Sequence, residues 1–463
     1  METILTRLHQ MVWGPWTLLI FLMVGIGYTV KGGGFQLRGF SFWWRYTAGS
    51  LIRNRENLEN GDVGERNSGK KGISQFQSVC TALAATVGTG NIAGVATALT
   101  AGGPGALVWM WICAGIGMAT AYGETFLGLK SRRTDQMGHY ICGPFIYMED
   151  LLGTKWLGRI YGVLCILCSL GMGSMVQANS AVNSVAYSWN VQKGTAGVLL
   201  TGAVLLVVAG GIGRIGRAAE MLVPAASGIY ILFSAIVIFS CFRQLPGAVR
   251  EIFTCGFTPR AAAGGAAGYG LSQAVRYGMA RGVFSNEAGL GTLAILHGAA
   301  EDTTPCQQGM WAMFEVFFDT VVLCTLTALV ILCTTDSLRM TPKASGAALA
   351  AWCFGTKLGR GGEMLISGSM AVFAFATMIA WFYLGRQAVS YVSQSLRVGP
   401  KFSEKAIQII YPLLFLAAVF AGGLWSSEAV WILSDLWNGL MAFPNLTALI
   451  FLQKKVAYPQ WKK

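Results

Sequence analysis

Two clusters of small and polar residues have the make-up to bind ions or a small polar molecule. The first is Thr86-Val87-Gly88-Thr89-Gly90-Asn91-Ile92-Ala93-Gly94, and the second is Ser285-Asn286-Glu287-Ala288-Gly289-Leu290-Gly291-Thr292. Each lies inside a long apolar stretch, where Gly and Asn are poor helix formers. Gly88, Gly90, Gly289 and Gly291 let the backbone unwind, which frees N–H and C=O groups. In a bilayer such groups must line a polar cavity or bind something. A half-helix starting near Thr89–Asn91 would offer its positive end to an anion such as a carboxylate. Carbonyls freed near Ala84–Val87 suit a hard cation. One site could thus hold a zwitterion and an ion together. Glycines also allow close helix crossing. A single motif would leave that explanation level with binding, whereas two motifs at matching places favour binding.

The elements that position these clusters follow from composition. Of 463 residues, 54% are hydrophobic and 12% are charged, about half the charge content of an average soluble domain. A soluble enzyme, a disordered chain and a fibrous repeat are excluded, and a polytopic all-α membrane protein remains. A helix needs about 20 apolar residues to cross. Eleven runs qualify: 14–31, 75–100, 104–129, 157–188, 194–212, 220–242, 268–299, 308–334, 362–395, 404–423 and 427–452. The first stands alone as an extra N-terminal helix within 1–36. The other ten form two sets of five, 75–243 and 268–452. An odd number of crossings per set inverts one relative to the other, the arithmetic of an inverted repeat. A cytoplasmic linker (37–74), an extracellular loop (244–267) and a cytoplasmic tail (453–463) complete the chain. With the N-terminus outside, 23 Lys and Arg fall in inner segments and nine in outer ones. That bias predicts N-terminus out, C-terminus in, and a multi-pass protein of the cell (inner) membrane.

The net charge of +13 is then a matter of inner loops and not of nucleic-acid binding. The 11 Cys are scattered, and Cys165-Ile-Leu-Cys168 sits in an apolar helix. Three His are too few for a His-rich metal site. Several charged residues lie within spans, where ionisable groups are functional candidates. Glu287 sits in the second cluster, where it could meet freed N–H groups or a substrate ammonium, or cap a half-helix. Glu315 and Asp319 are four apart, which places them on one helix face, and hydrogen bonds to neighbouring helix ends are the favoured reading of them over a proton site. Glu124 is expected to reach Lys130 or a loop Arg. Arg276 and Arg281 are expected to snorkel outward, with a gate salt bridge as the alternative. Asp435 has no assignable partner.

At these motifs the chain resembles the alanine or glycine:cation symporter family, amino acid carriers with a LeuT-type core. The resemblance rests on Ala84–Ala96, Gly102-Gly103-Pro104-Gly105-Ala106, Trp109-Met110-Trp111 and Met175-Val176-Gln177. It continues through Gly282–Gly289, Phe318-Asp319-Thr320, Cys324–Ala328 and Phe375-Ala376-Thr377 with Trp381. It spans about residues 10 to 450 and implies a LeuT-type 5+5 inverted repeat with one extra helix. It implies symport of a small neutral amino acid with Na⁺, or H⁺ in some members. Thr89, Gly90 and Asn91 would cradle the substrate carboxylate. Gln177, Ser285, Asn286, Gly289 and Trp381 would contact the substrate. Ala84, Val87 and Thr377 would hold sodium. Three departures bear on ion number and substrate: Ala376 in place of a common Ser, Cys142-Gly143-Pro144-Phe145 for a Gly-Gly-Pro turn, and Thr292-Leu293-Ala294 for Ser-Ala-Pro.

Other classes fit less well. No Gly-x-Ser-x-Gly, His-Glu-x-x-His or Walker motif is present, which argues against an enzyme and against ATP-driven transport. A glutamine carrier is the nearest alternative. A channel or sensor on a transporter scaffold is the alternative of a different class.

Overall fold

The computed structural model describes residues 7–8, 11–50, 72–134, 140–257, 266–335, 346–397 and 399–461. The linker motifs between 51 and 71, the end of the 244–267 loop and the basic residues at 336–345 lie outside the described residues. Helix α1 is Pro15–Lys31, α2 is Gln75–Thr86, α3 is Ala93–Gly102 and α4 is Ala106–Lys130. Helix α5 runs Lys155–Trp189, α6 Lys193–Val208 and α7 Gly211–Ser240. Helix α8 is Ala266–Asn286, α9 is Thr292–His297 and α10 is Pro305–Thr334. Helix α11 is Ala347–Ser395, α12 is Ala406–Leu424 and α13 is Ser427–Leu452.

Local chemistry explains the ends and bends. Ser74 and Gln77 form a reciprocal capping box that starts α2, satisfying donors that a helix start leaves open. Thr304 caps α10 with Pro305 at its first position, where a missing N–H costs nothing. Three spans carry wider π turns, at Gly171–Val176 in α5, Phe317–Cys324 in α10 and Ala406–Ile410 in α12. Such bulges shift the register of every side chain beyond them. Helix α11 is longer than the run 362–395 suggests, because a preceding segment joins it through Gly359 at φ 63°.

Among the described residues six helices are long and apolar enough to cross a bilayer: α4, α5, α7, α10, α11 and α12. The pair α2 with Thr89–Gly102, bent by 50°, makes a seventh. The remaining crossings read from sequence are α1, α6, the α8–α9 pair and α13. Helices α1 and α6 are short apolar helices. Helix α8 carries Arg276 and Arg281, and α13 carries Glu428 and Asp435.

Three sequence expectations change. The segment 244–267 is not simply a loop, since Leu245–Phe257 is helical with Ala248, Ile252 and Gly256 buried. The linker 37–74 begins with a helix, Phe40–Tyr46, that buries Trp43. The tail is docked and not free: Tyr458 stacks on Tyr122 at 4.7 Å and donates to the Tyr28 carbonyl at 3.0 Å. Tyr122 in turn donates to the Ala457 carbonyl at 2.8 Å, and Phe35 packs on Trp461. Charge and hydropathy patterns do not register such a strap, because its contacts are aromatic and backbone. Helix α1 belongs to the same assembly. Gly123 of α4 leaves room for the Tyr28 ring, and the Tyr28 hydroxyl donates to the Leu449 carbonyl at 3.0 Å.

Tyr458→Ala should therefore lower stability by about 2 kcal/mol, the scale for losing a stacked, largely buried aromatic. The thermal unfolding midpoint of the purified protein in detergent checks it; an unshifted midpoint would show that the strap contributes nothing.

Candidate functional site

The first break lies between α2 and α3. Val87 ends α2, Gly88 is extended (φ −135°, ψ −152°), and Thr89–Asn91 form a single tight turn. The freed backbone is taken up by side chains. The Gly88 N–H donates to Asn91 Oδ1 at 2.9 Å, and the Thr89 N–H and hydroxyl donate to Gln177 Oε1 at 3.3 and 3.0 Å. Thr377 of α11 donates to the Ala84 carbonyl at 2.8 Å and to Phe373 at 3.0 Å. Glycine at 88 is required by close approach: a Cβ there would lie 2.6 Å from Thr377 Oγ1 and 3.2 Å from Gln177 Oε1.

The second break lies between α8 and α9. Three successive turns of the chain are left-handed: Glu287 (φ 56°), Gly289 (φ 87°) and Gly291 (φ 83°). Glycine adopts this region freely, whereas glutamate does so only where its surroundings hold it. Trp381 donates from Nε1 to Glu287 Oε1 at 3.0 Å. The Gly291 N–H and Asn445 Nδ2 both donate to Glu124 Oε2, at 3.1 and 3.0 Å. Asn445 also donates to the Gly289 carbonyl at 2.9 Å, and Tyr161 to the Leu290 carbonyl at 2.8 Å. Tyr147 closes the set by hydrogen bonding Asn445.

Asp319 joins the two breaks. Its carboxylate accepts from Asn91 Nδ2 at 2.6 Å, from Ser285 Oγ at 2.7 Å and from Thr320 Oγ1 at 2.9 Å. Asn286 Nδ2 donates to Thr320 at 3.2 Å, and Thr327 donates to the Asn91 carbonyl at 2.7 Å. Three donors converging on one buried carboxylate suit an ionised acceptor. The π turn of α10 aims Asp319 this way and sends Glu315 elsewhere, to His297 of α9. The two acids therefore meet different elements: Asp319 hydrogen bonds at the helix breaks, as the favoured reading expected, whereas Glu315 faces His297 without a hydrogen bond to a helix end.

The sequence-derived residues fall into three places. Ala84, Thr89, Gln177 and Thr377 surround Gly88. Asn91, Ser285 and Asn286 gather at Asp319, with Gly90 beside them, since a Cβ on Gly90 would meet the Ser285 Cα at 3.3 Å. Trp381 reaches the second break at Glu287. Val87 is buried at the end of α2. Gly289 stands apart: a Cβ there would meet Phe21 of α1 and Leu446 of α13, on the far side of the break. Glu124 is a correction, for it caps the second break and does not reach towards Lys130. Asp319 was weighed as an ionisable residue but missed as the link between breaks. The signal was present in the paired polar residues Asp319-Thr320, whose target only packing reveals.

Two cavities approach this centre from opposite ends. One of about 440 Å³ is lined by Thr97, Asn179, Asn183, Arg281, Glu428 and Trp431. The other, about 350 Å³, is lined by Gly72, Tyr140, Tyr383, Arg386, Gln387 and Gln408. Neither lining includes Thr89, Gln177, Ser285 or Trp381, all of which are buried. At the base of the first cavity Arg281, one turn from Ser285, makes two hydrogen bonds to Asp435, at 3.2 and 3.0 Å. The guanidinium also lies 4.8 Å from the Trp431 ring centroid. Arg281 therefore does not snorkel outward: the salt-bridge alternative is the observed one, and Asp435 has its partner.

Gly88→Ala should weaken transport by about tenfold or more, ~1.4 kcal/mol, by forcing Thr377 and Gln177 apart. Uptake by membranes holding equal amounts of folded variant and wild type is the measurement; unchanged uptake would show that the close approach at 88 has no role.

Comparison with known proteins shows the family and the fold. A model of the sodium:alanine symporter family matches residues 1–460. The sodium/alanine symporter AgcS of Methanococcus maripaludis is 35% identical over 459 residues, covering 97% of this chain and 94% of that protein. The probable sodium/glutamine symporter GlnT of Bacillus subtilis is 33% identical over 456 residues, covering 98% and 89%. Among solved structures, that of MhsT in complex with L-phenylalanine superposes with a TM-score of 0.54 at 16% identity, covering 83% of this chain and 99% of MhsT. This last likeness is one of fold, the LeuT fold.

Proposed function

The chain belongs to the sodium:alanine symporter family, and from that membership we propose that it imports a small neutral amino acid, alanine or glycine, driven by a sodium gradient. Family and fold both mark a multi-pass membrane transporter. The observation that carries the finer reading is the convergence of both helix breaks on Asp319 through Asn91 and Ser285.

Sodium fits the place bounded by Thr377 and α2. A hydroxyl and backbone carbonyls are the neutral oxygen donors a hard cation prefers. Thr377 already touches the Ala84 carbonyl, and the Val87 carbonyl is a further donor at the end of the same helix. Ala376 supplies no hydroxyl, so this cation would draw more on carbonyl oxygens. A substrate carboxylate would compete with the Gln177 carbonyl for the N–H and hydroxyl of Thr89. An ionised Asp319 would favour positive charge nearby, which would serve both an ammonium group and a cation. Trp381, held by Glu287, would bound the space for a side chain.

Ion and substrate bound next to each other raise each other's affinity, which is what coupling requires. The two cavities suggest the two approaches used in alternating access. We take the cavity at Arg281–Asp435 as the outer one, because the basic bias places α3 and the start of α13 outside. The two halves are then 75–243 and 268–452. Opening outward would break the Arg281–Asp435 pair, and opening inward would move α2 about its hinge at Gly88.

Protein in liposomes should accumulate labelled alanine or glycine only under an inward Na⁺ gradient. Accumulation of glutamine instead would favour the larger-substrate alternative. No uptake of any neutral amino acid under Na⁺ or H⁺ gradients would sink the symport reading and leave the channel or sensor. Thr377→Ala should raise the Na⁺ half-saturation by about tenfold with little change in the ranking of substrates. An unaltered Na⁺ response would remove Thr377 from the ion site.

A further inference from the structure

We propose that His297 and Glu315 form a proton-binding site, and that the proton it holds is exchanged during the transport cycle. The inference rests on the symport reading for its place in that cycle, but not for the existence of the site. His297 ends α9, the half-helix that follows the second break, and Glu315 lies in α10, four residues before Asp319. Both side chains are fully buried, with His297 Nε2 3.2 Å from Glu315 Oε1. The approach is that of an ion pair and not of an aligned hydrogen bond, and neither Glu315 oxygen has a hydrogen-bond partner.

The far side of the ring is spoken for. His297 Nδ1 lies 2.5 Å from Gln308 Oε1, and the amide is oriented by Gln308 Nε2 donating to Thr303 at 3.1 Å. An amide oxygen only accepts, so Nδ1 carries a hydrogen. Nε2 of a neutral ring would then present a lone pair to a bare carboxylate. Two electron pairs facing each other in a buried site are untenable, as is a lone carboxylate charge without compensation. One proton on either partner resolves this: an imidazolium against a carboxylate, or a neutral ring against a carboxylic acid. Without it the site carries an uncompensated negative charge, and a second proton would leave an uncompensated positive one.

The surroundings set this proton apart from other ions. The positive charge acting on Glu315 comes from His297. Cys80 of α2, Glu287 at the second break and Asp319 further along α10 are the titratable groups on which the Glu315 charge acts. Of those on the other packed helices, Tyr122 and Glu124 of α4 turn to Ala457 and Gly291, and Glu220 of α7 is taken by Gln77 of α2. The pair offers a metal cation only a ring nitrogen and one carboxylate, fewer oxygen donors than a hard cation takes.

Access follows from the hinge. Helix α2 packs on both α9 and α10, and Ser78 donates to the Leu296 carbonyl at 3.0 Å. The 350 Å³ cavity reaches Gly72 and Ala299, which flank the start of α2 and the end of α9. Rotation of α2 about its break at Gly88 would uncover the pair to that cavity. The motion that releases sodium and substrate would thus also open the proton site.

The test uses full-length protein in liposomes with a pH-sensitive dye inside, equal pH on both sides, and Na⁺ with L-alanine added outside. The readout is the internal pH change per alanine taken up. It should be present in wild type and fall to background in Glu315→Gln and His297→Gln, since neutral amides need no shared proton. A ratio unchanged in both variants, or wild type that takes up alanine without any pH change, would overturn the proposal. A second measurement needs no transport: the unfolding midpoint in detergent between about pH 6 and 9. Above about pH 7 the unfolded His and Glu share no proton. The folded pair holds one, so the folded state binds more protons and is destabilised as pH rises. The folded-to-unfolded ratio should fall by about tenfold per pH unit. Glu315→Gln should flatten that fall. Equal slopes in variant and wild type would overturn the proposal even in a protein that transports nothing.

Discussion

A backbone that leaves the helix inside a bilayer must find partners for every N–H and C=O it frees, because no lipid group can supply them. The two breaks at Gly88 and Gly289 impose this demand on the whole molecule. At the first break the partners are Asn91, Gln177 and Thr377; at the second they are Glu124, Asn445 and Tyr161. Apart from Asn91, which lies in the first break itself, they come from α4, α5, α11 and α13, so the bundle must bring those helices to fixed distances. The polar side chains buried in α4, α5, α11 and α13 make sense in these terms. They substitute for missing turns of helix, and their geometry holds the breaks open in one shape.

The buried acids divide the work between them. Glu124 serves as a cap for the second half-helix, since its oxygen receives the Gly291 N–H and the Asn445 amide. Asp319 serves as a bridge, with donors from both breaks on one carboxylate. Glu287 fixes Trp381, and Glu315 faces His297. Placing four acids in an apolar bundle costs free energy unless each is matched. The matching is done mostly by neutral donors and not by Lys or Arg. Arg281 and Asp435 are the contrast. They neutralise each other beside one cavity, whose lining includes Arg281.

Much of this was legible in the residues. The broken helices follow from glycines in apolar runs, and the family follows from the motifs around them. Thr89, Gln177 and Thr377, which the resemblance singled out, gather around Gly88, while their roles stay a proposal. Other parts were not legible, for identifiable reasons. The partition of Glu315 from Asp319 depends on a π turn, and a spacing of four residues promises one face only in a regular helix. The partner of Asp435 sits 154 residues away on α8, and the role of Glu124 depends on a break 167 residues further along the chain. The resemblance put Gly289 among the substrate contacts, yet its open side faces Phe21 of α1, a helix outside the repeat, and Leu446 of α13.

By itself the sequence determined that the chain crosses a membrane, where its helices break and which family it joins, because hydropathy and glycine placement act locally along the chain. Tertiary structure alone decided which buried charge meets which partner. A carboxylate in a bilayer is governed by the donors that reach it within about 3 Å, and those donors arrive from helices that are distant in sequence.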